Sequence, residues 1–147
     1  MFKKTHLLPS SLLFFLLSSN SYAAIQNHSG TYTGITSGND FGCTNPSDNG
    51  PFSVTDTLSL IQNGSDFTGN GIDSDGDTFS VSGSVDSSGN FSGTFTNSFG
   101  GAGSISGILT STDLSFSANQ TTPDSDNGCF SSSSGTLIKT SGGNRWY

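Results

Sequence analysis

Asp73-Ser74-Asp75-Gly76-Asp77 sets three carboxylates at alternate positions around a glycine. Oxygen ligands so spaced can converge on a hard cation, as in calcium loops. The segment is not an EF-hand loop, because glycine stands fourth rather than sixth and the twelfth position is Ser84 rather than Glu. Asp and Gly are also the ordinary material of hairpin turns. Two expectations therefore stand: calcium held by Asp73, Asp75 and Asp77, or a plain turn.

Asp56 differs from the other carboxylates because it shares the apolar phase of Phe52, Val54, Leu58 and Leu60. A carboxylate buried in that phase must be hydrogen-bonded or raise its pKa. It would then orient a ligand from inside; the favoured expectation is a bulge or phase shift that turns it outward. Glycosidase chemistry needs two carboxylates at a set separation, and with eleven acidic residues, all Asp, no pair is singled out. His28 precedes the first expected strand and is expected to be solvated; one terminal histidine makes no nucleophile–base pair.

Lys3 and Lys4, the apolar run Leu12–Leu17 and the small-x-small Ser21-Tyr22-Ala23 read as a signal peptide over residues 1–23. That run is too short to span a membrane as a helix, which takes about 20 apolar residues. A periplasmic or secreted location follows, with a domain over 24–140 and a tail over 141–147 containing Arg145, Trp146 and Tyr147. Past Ala23 the chain has eleven Asp against Lys139 and Arg145, a net charge of −9. Such a surface repels nucleic acid and anionic lipid and favours cations.

The elements that must position these residues are strands. Phe79, Val81, Gly83 and Val85 alternate with serines, and Phe91, Gly93 and Phe95 repeat the scheme. This is the period of a half-buried strand. Turn signals divide the chain into eight strands near 30–36, 51–62, 66–72, 78–86, 90–98, 102–110, 113–119 and 129–140. Connections this short join only antiparallel neighbours. The expectation is an all-β, single antiparallel up-and-down (meander) barrel, closed by pairing the first strand with the last. A 24-residue repeat, Asp66-Phe67-Thr68-Gly69 against Asn90-Phe91-Ser92-Gly93, fits successive hairpins. Glycines 69, 83, 93 and 107 in mid-strand suit strong curvature. An outer-membrane barrel is not expected, because 66–72 and 113–119 are short for lipid-spanning strands and Ser131–Ser134 offers no lipid face.

In such a meander the connections 37–50, 73–77, 99–101 and 120–128 lie at one end. They bring Asp40, Asp48, Asp124 and Asp126 to the same rim as Asp73, Asp75 and Asp77. Cys43 and Cys129 flank the strands that closure makes neighbours, and in an exported chain two cysteines usually pair.

Gly30-Thr31-Tyr32 opening the first strand, the eight-strand meander and Gly135-Thr136-Leu137-Ile138 closing the last resemble the calycin-type barrels, the lipocalins and avidins. Tyr32 stands where those families characteristically carry Trp. More distantly the chain resembles small periplasmic inhibitors of secreted metalloproteases. The resemblance implies a small ligand or a protein taken at the open end, and transfers no contact residue. The functional expectation is an exported binding module whose acidic end recognises a small molecule, a cation or a protein. A carboxylate-based hydrolase and a structural surface protein are the alternatives.

Overall fold

The alternating pattern becomes eight antiparallel strands in a computed structural model that describes residues 24–142. They are β1 (Gly30–Phe41), β2 (Gly50–Asn63), β3 (Asp66–Ile72), β4 (Thr78–Val85), β5 (Asn90–Asn97), β6 (Ala102–Leu109), β7 (Asp113–Thr122) and β8 (Phe130–Ser141). Each pairs with its neighbours in sequence, and β1 pairs with β8, so the sheet is a closed barrel. Along the closing seam Gly34 faces Leu137 and Phe41 faces Phe130. The expected leader over 1–23 and the tail residues from 143 onward lie outside the described residues, while Ser141 is the last residue of β8.

Two strands run further than their sequence suggests. β1 continues through Ser37-Gly38-Asn39-Asp40-Phe41, and β7 through Gln120 to Thr122. Those segments of β1 hydrogen-bond on both sides, Asp40 opposite Gly50 on β2 and opposite Ser131 on β8. Backbone pairing with two neighbours outweighs the weak strand preference of Gly and Asn. Asp40 therefore stands on a strand, not in a loop. Between β1 and β2 only a short 3₁₀ turn, Pro46–Asp48, interrupts the connection.

Inside, one half of the tube is packed. Leu58, Leu60, Phe67, Val85, Phe91, Leu109, Leu114 and Leu137 are each 5% exposed or less, and the Phe67 and Phe91 rings meet edge to face at 5.7 Å. The segment before β1 closes this floor. Tyr32 donates its hydroxyl to the His28 carbonyl at 2.5 Å, and the His28 amide donates to Gln62 Oε1 at 2.8 Å. His28 Nδ1 lies 2.9 Å from the Thr110 carbonyl oxygen, which can only accept, so that nitrogen carries the proton. The expectation of a solvated His28 is thus corrected: it is buried, because Ile25–Ser29 folds across the barrel end instead of leading away from it. Burial, reinforced by the negative charge of Asp113, pushes the Tyr32 hydroxyl up to about 12.

Small residues also face one another across neighbouring strands. Gly83 of β4 lies opposite Gly93 of β5. A Cβ on either would run into the other strand, at the Ser92 carbonyl from Gly83 and the Ser82 carbonyl from Gly93. Close backbone approach, rather than freedom to turn, is what these glycines supply.

At the opposite end Cys43 and Cys129 form a disulfide, with Cα atoms 4.0 Å apart. It ties the β1–β2 connection to the start of β8, beside a hydrogen bond from the Thr44 amide to the Asn127 carbonyl at 2.9 Å. In the loop-entropy account, a bridge spanning 86 positions restricts the unfolded chain by about 4–5 kcal/mol.

Two stability measurements test this description. Gly93→Val is expected to cost at least ~2 kcal/mol by overpacking, read as a fall in Tm of roughly 8 °C or more; an unchanged Tm would contradict the close approach. Cys43→Ala/Cys129→Ala is expected to lower unfolding free energy by no more than about 5 kcal/mol in denaturant titration, with the β-sheet circular dichroism signal kept under native conditions.

Candidate functional site

The half of the barrel nearest the disulfide is not filled. Its interior phase is continued by Thr36, Gly38 and Asp40 on β1 and by Phe52, Val54 and Asp56 on β2. Across the lumen stand Phe79, Phe95, Ile105, Phe116 and Ala118. Together they surround a cavity of about 160 Å³ that runs from Leu58 and Leu137 up to Asp73 and Ser131. Above it a second space of about 240 Å³ opens at the rim between Asp40, Asp73, Asp75, Asp77 and Asp124. The two share Phe52, Val54, Asp73, Phe79, Asn97 and Ser131 as walls, so they are one recess with an apolar depth and an acidic mouth.

Asp56 sits in the depth. The ladder keeps its register through β2, with Gly34 opposite Asp56 and Thr36 opposite Val54. The bulge that would have turned Asp56 outward does not form, so the favoured sequence expectation is corrected. Asp56 is 7% exposed as a residue, and Thr36 Oγ1, itself buried, donates to its Oδ2 at 2.5 Å. Among the described residues no donor reaches Oδ1. Burial raises the Asp56 pKa, the Thr36 hydrogen bond opposes that rise, and the nearby charge of Asp73 adds to it. Thr36 carries no signal of its own in sequence beyond falling in the inward phase of β1.

The Asp-rich turn has a structural explanation that two other turns share. Asp73 Oδ1 accepts from the amides of Asp75 and Asp77, both at 2.9 Å. Asp86 Oδ1 accepts from Ser88 and Asn90 at 2.8 and 2.9 Å, and Asn97 Oδ1 from Phe99 and Gly101 at 3.1 and 2.8 Å. Three residues on, Gly76, Gly89 and Gly100 have φ of 96°, 86° and 81°. In each turn the glycine amide donates back to the carbonyl of the first residue. This is one hairpin device used three times, an Asx side chain capping the turn and a glycine at its left-handed position. It accounts for Asp73 and Gly76. Among the described residues no three acidic, His or Cys side chains are grouped so as to hold a metal ion.

Asp124 organises the rim. Its Oδ1 accepts from Asn97 Nδ2 at 2.8 Å and from Gln120 Nε2 at 2.9 Å. Gln120 is buried, and its Oε1 accepts from the Ser131 hydroxyl at 2.9 Å. The turn after β5, the end of β7 and the start of β8 are thereby locked together. Sequence reading missed Asn97 and Gln120; the inward phase of Leu114, Phe116 and Ala118, carried two residues further, would have found Gln120. Asp40 has its pKa raised by burial and then by Asp124. Asp77 is raised first by desolvation and then by Asp73, Asp75, Asp126 and Asp124. Asp48 stands apart: its carboxylate accepts from Asn45 and Ser47 within the 3₁₀ turn. Asp126 accepts from the Asn127 amide on the surface of its loop. The structure thus brings Asp40, Asp73, Asp75, Asp77 and Asp124 to one mouth, sets Asp56 beneath them, and leaves Asp48 and Asp126 off the wall of the recess.

Three carboxyls with raised pKa fix the sign of the pH dependence. Asp56, Asp40 and Asp77 bind protons more readily in the folded chain than in the unfolded one, where Asp titrates near 3.9. Their contribution is fully present below the unfolded value and lost as pH rises through the folded values. Asp86 acts oppositely, its pKa lowered first by the Asn90 side chain, so its contribution fades as pH falls through its own folded value. The Tm is therefore expected to rise as pH falls from 7.5 to about 4.5 and to stop rising below about 3.9. A Tm that falls steadily over the upper interval would contradict the burial of Asp56. In Asp56→Asn the rise is expected to be smaller.

No protein-family model matches the chain, and no curated protein matches it. The closed eight-stranded antiparallel meander is consistent with the calycin type of architecture, and the likeness rests on the barrel itself.

Proposed function

We propose that this protein is an exported binding module that takes one small, mainly apolar molecule into the mouth of its barrel. The observation that carries the reading is the uneven filling of the tube. The floor half is packed with Leu, Val and Phe and covered by His28, whereas the mouth half keeps a recess walled by Phe52, Phe79, Phe95 and Phe116. Protein interiors are normally filled to crystal-like density, and an apolar recess with a few convergent polar groups is the usual form of a small-molecule site. The polar groups here are Asp56 and Thr36. An apolar cavity of about 150 Å³ accommodates benzene, so the deeper part of this recess suits a body of one ring.

Two further features support the reading. The disulfide and the Asp124 hydrogen bonds tie together the elements around the mouth. A paired cysteine, together with the leader read from the sequence, fits an oxidising compartment outside the cytoplasm.

Titrating ¹⁵N-labelled protein with indole, a neutral one-body probe, tests the proposal. Saturable amide shifts are expected at Thr36, Val54, Asp56 and Phe79, with the floor residues around Phe67 and Phe91 unmoved. Filling the recess with Ala118→Phe or Val54→Trp is expected to abolish them, in whichever of the two variants keeps the wild-type spectrum elsewhere. Absence of saturable shifts, or shifts spread over the outer face of the barrel, would overturn it.

A further inference from the structure

We infer that the ligand is an organic ammonium compound, a ring-sized apolar body bearing a primary amine, with the carboxylate of Asp56 accepting its ammonium group. This rests on the small-molecule reading of the recess and names the chemistry that the recess selects.

The inference begins with a carboxylate that is only half served. Asp56 Oδ2 is held by Thr36, whereas Oδ1 has no donor among the described residues and, not being a fully buried atom, is open to the recess. A buried carboxylate is stable as an ion only with hydrogen bonds or a counter-charge. No Lys or Arg lines either part of the recess. Lys139, the only Lys or Arg among the described residues, lies against the Tyr32 ring in the packed half, its Nζ 5.6 Å from the ring centroid. A cation paired with Asp56 would therefore have to come from outside the described chain.

The mouth selects for the same sign. An entering molecule passes Asp40, Asp73, Asp75, Asp77 and Asp124, a ring of carboxylates that repels anions and concentrates cations. The walls decide between a metal ion and an organic cation. Calcium takes six to eight oxygen ligands, and the depth of the recess is lined mainly by Phe, Val, Leu and Ile. An ammonium group needs only a few acceptors, which Asp56 and the lone pairs of the Thr36 hydroxyl provide. The carbon skeleton meets apolar side chains, and phenylalanine faces attract a cation directly. Asp56 is thus read as a ligand-binding residue and Thr36 as the residue that positions it.

Calorimetric titration of the full-length secreted protein with three isosteres at pH 7 tests this: 2-phenylethylamine, 2-phenylethanol and 3-phenylpropionate. The amine is expected to bind at least about tenfold more tightly than the alcohol, and the anion not detectably. Asp56→Asn is expected to bring the amine down to the level of the alcohol while leaving the alcohol within about threefold of its wild-type affinity. Should that variant not fold, raising sodium chloride from 20 to 500 mM on the wild type replaces it, and is expected to weaken the amine and not the alcohol. Equal affinity for amine and alcohol, or equal losses of both in Asp56→Asn or in salt, would overturn the ammonium inference and leave the recess as a site for neutral molecules. Binding of none of the three, with no indole shifts, would overturn both.

Discussion

The pairing of β1 with β8 is the constraint on which the rest depends. Without it the chain would be an open eight-stranded meander with two exposed edges, each a row of unsatisfied backbone groups. With it, the inward phase of every strand is enclosed, and four of the seven connections gather at one end. The disulfide reinforces the same seam from outside the ladder, because Cys43 follows β1 and Cys129 precedes β8. Glycines facing each other across strands let neighbouring backbones approach closely, and Leu, Val and Phe fill the floor. A domain poor in Leu, Ile and Val can therefore still have a core.

Closure also creates a gradient along the barrel axis. At the floor, interior positions are apolar and the end is covered by Ile25–Ser29, with the His28 amide donating to the Gln62 side chain of β2 and its ring to the Thr110 carbonyl in the turn after β6. In the middle, Asp56 and Thr36 form one polar step in an apolar wall. At the rim, carboxylates outnumber every other group, held apart by turn amides and by the Asn97–Asp124–Gln120 hydrogen bonds. Repulsion among these charges is tolerable because the rim is wet and screened, whereas Asp56, 7% exposed, is screened far less. Ionising Asp56 therefore costs folding free energy, a cost that fades as pH falls and the carboxyl is protonated.

Much of this was legible in the sequence. Period-two alternation and glycine turns set the strands and their order, since short connections permit only antiparallel neighbours. The end at which the acidic segments meet followed from counting connections. What local pattern could not supply was information carried by a second strand. Ser37–Phe41 looks like a loop until β8 lies alongside it. His28 looks solvated until the segment around it crosses the floor. Asp56 looked out of place in its phase and invited a bulge; the ladder instead keeps its register because Thr36, from the neighbouring strand, donates to it. The Asp73 turn admitted two readings, a calcium loop or a plain turn, whereas the same Asx–glycine device in the turns at Asp86 and Asn97, being less acidic, drew no attention. For β1, His28 and Asp56 the residue type was read correctly and its partner was missing.

Nuclear Overhauser contacts across the seam test the closed tube most directly. The account predicts cross-strand backbone contacts from β1 to both neighbours, Ile35 to Thr55 on β2 and Ile35 to Thr136 on β8, with slow amide exchange on both edges of β1. Contacts to β2 alone, with β8-side amides of β1 exchanging as fast as those of an open edge, would contradict it.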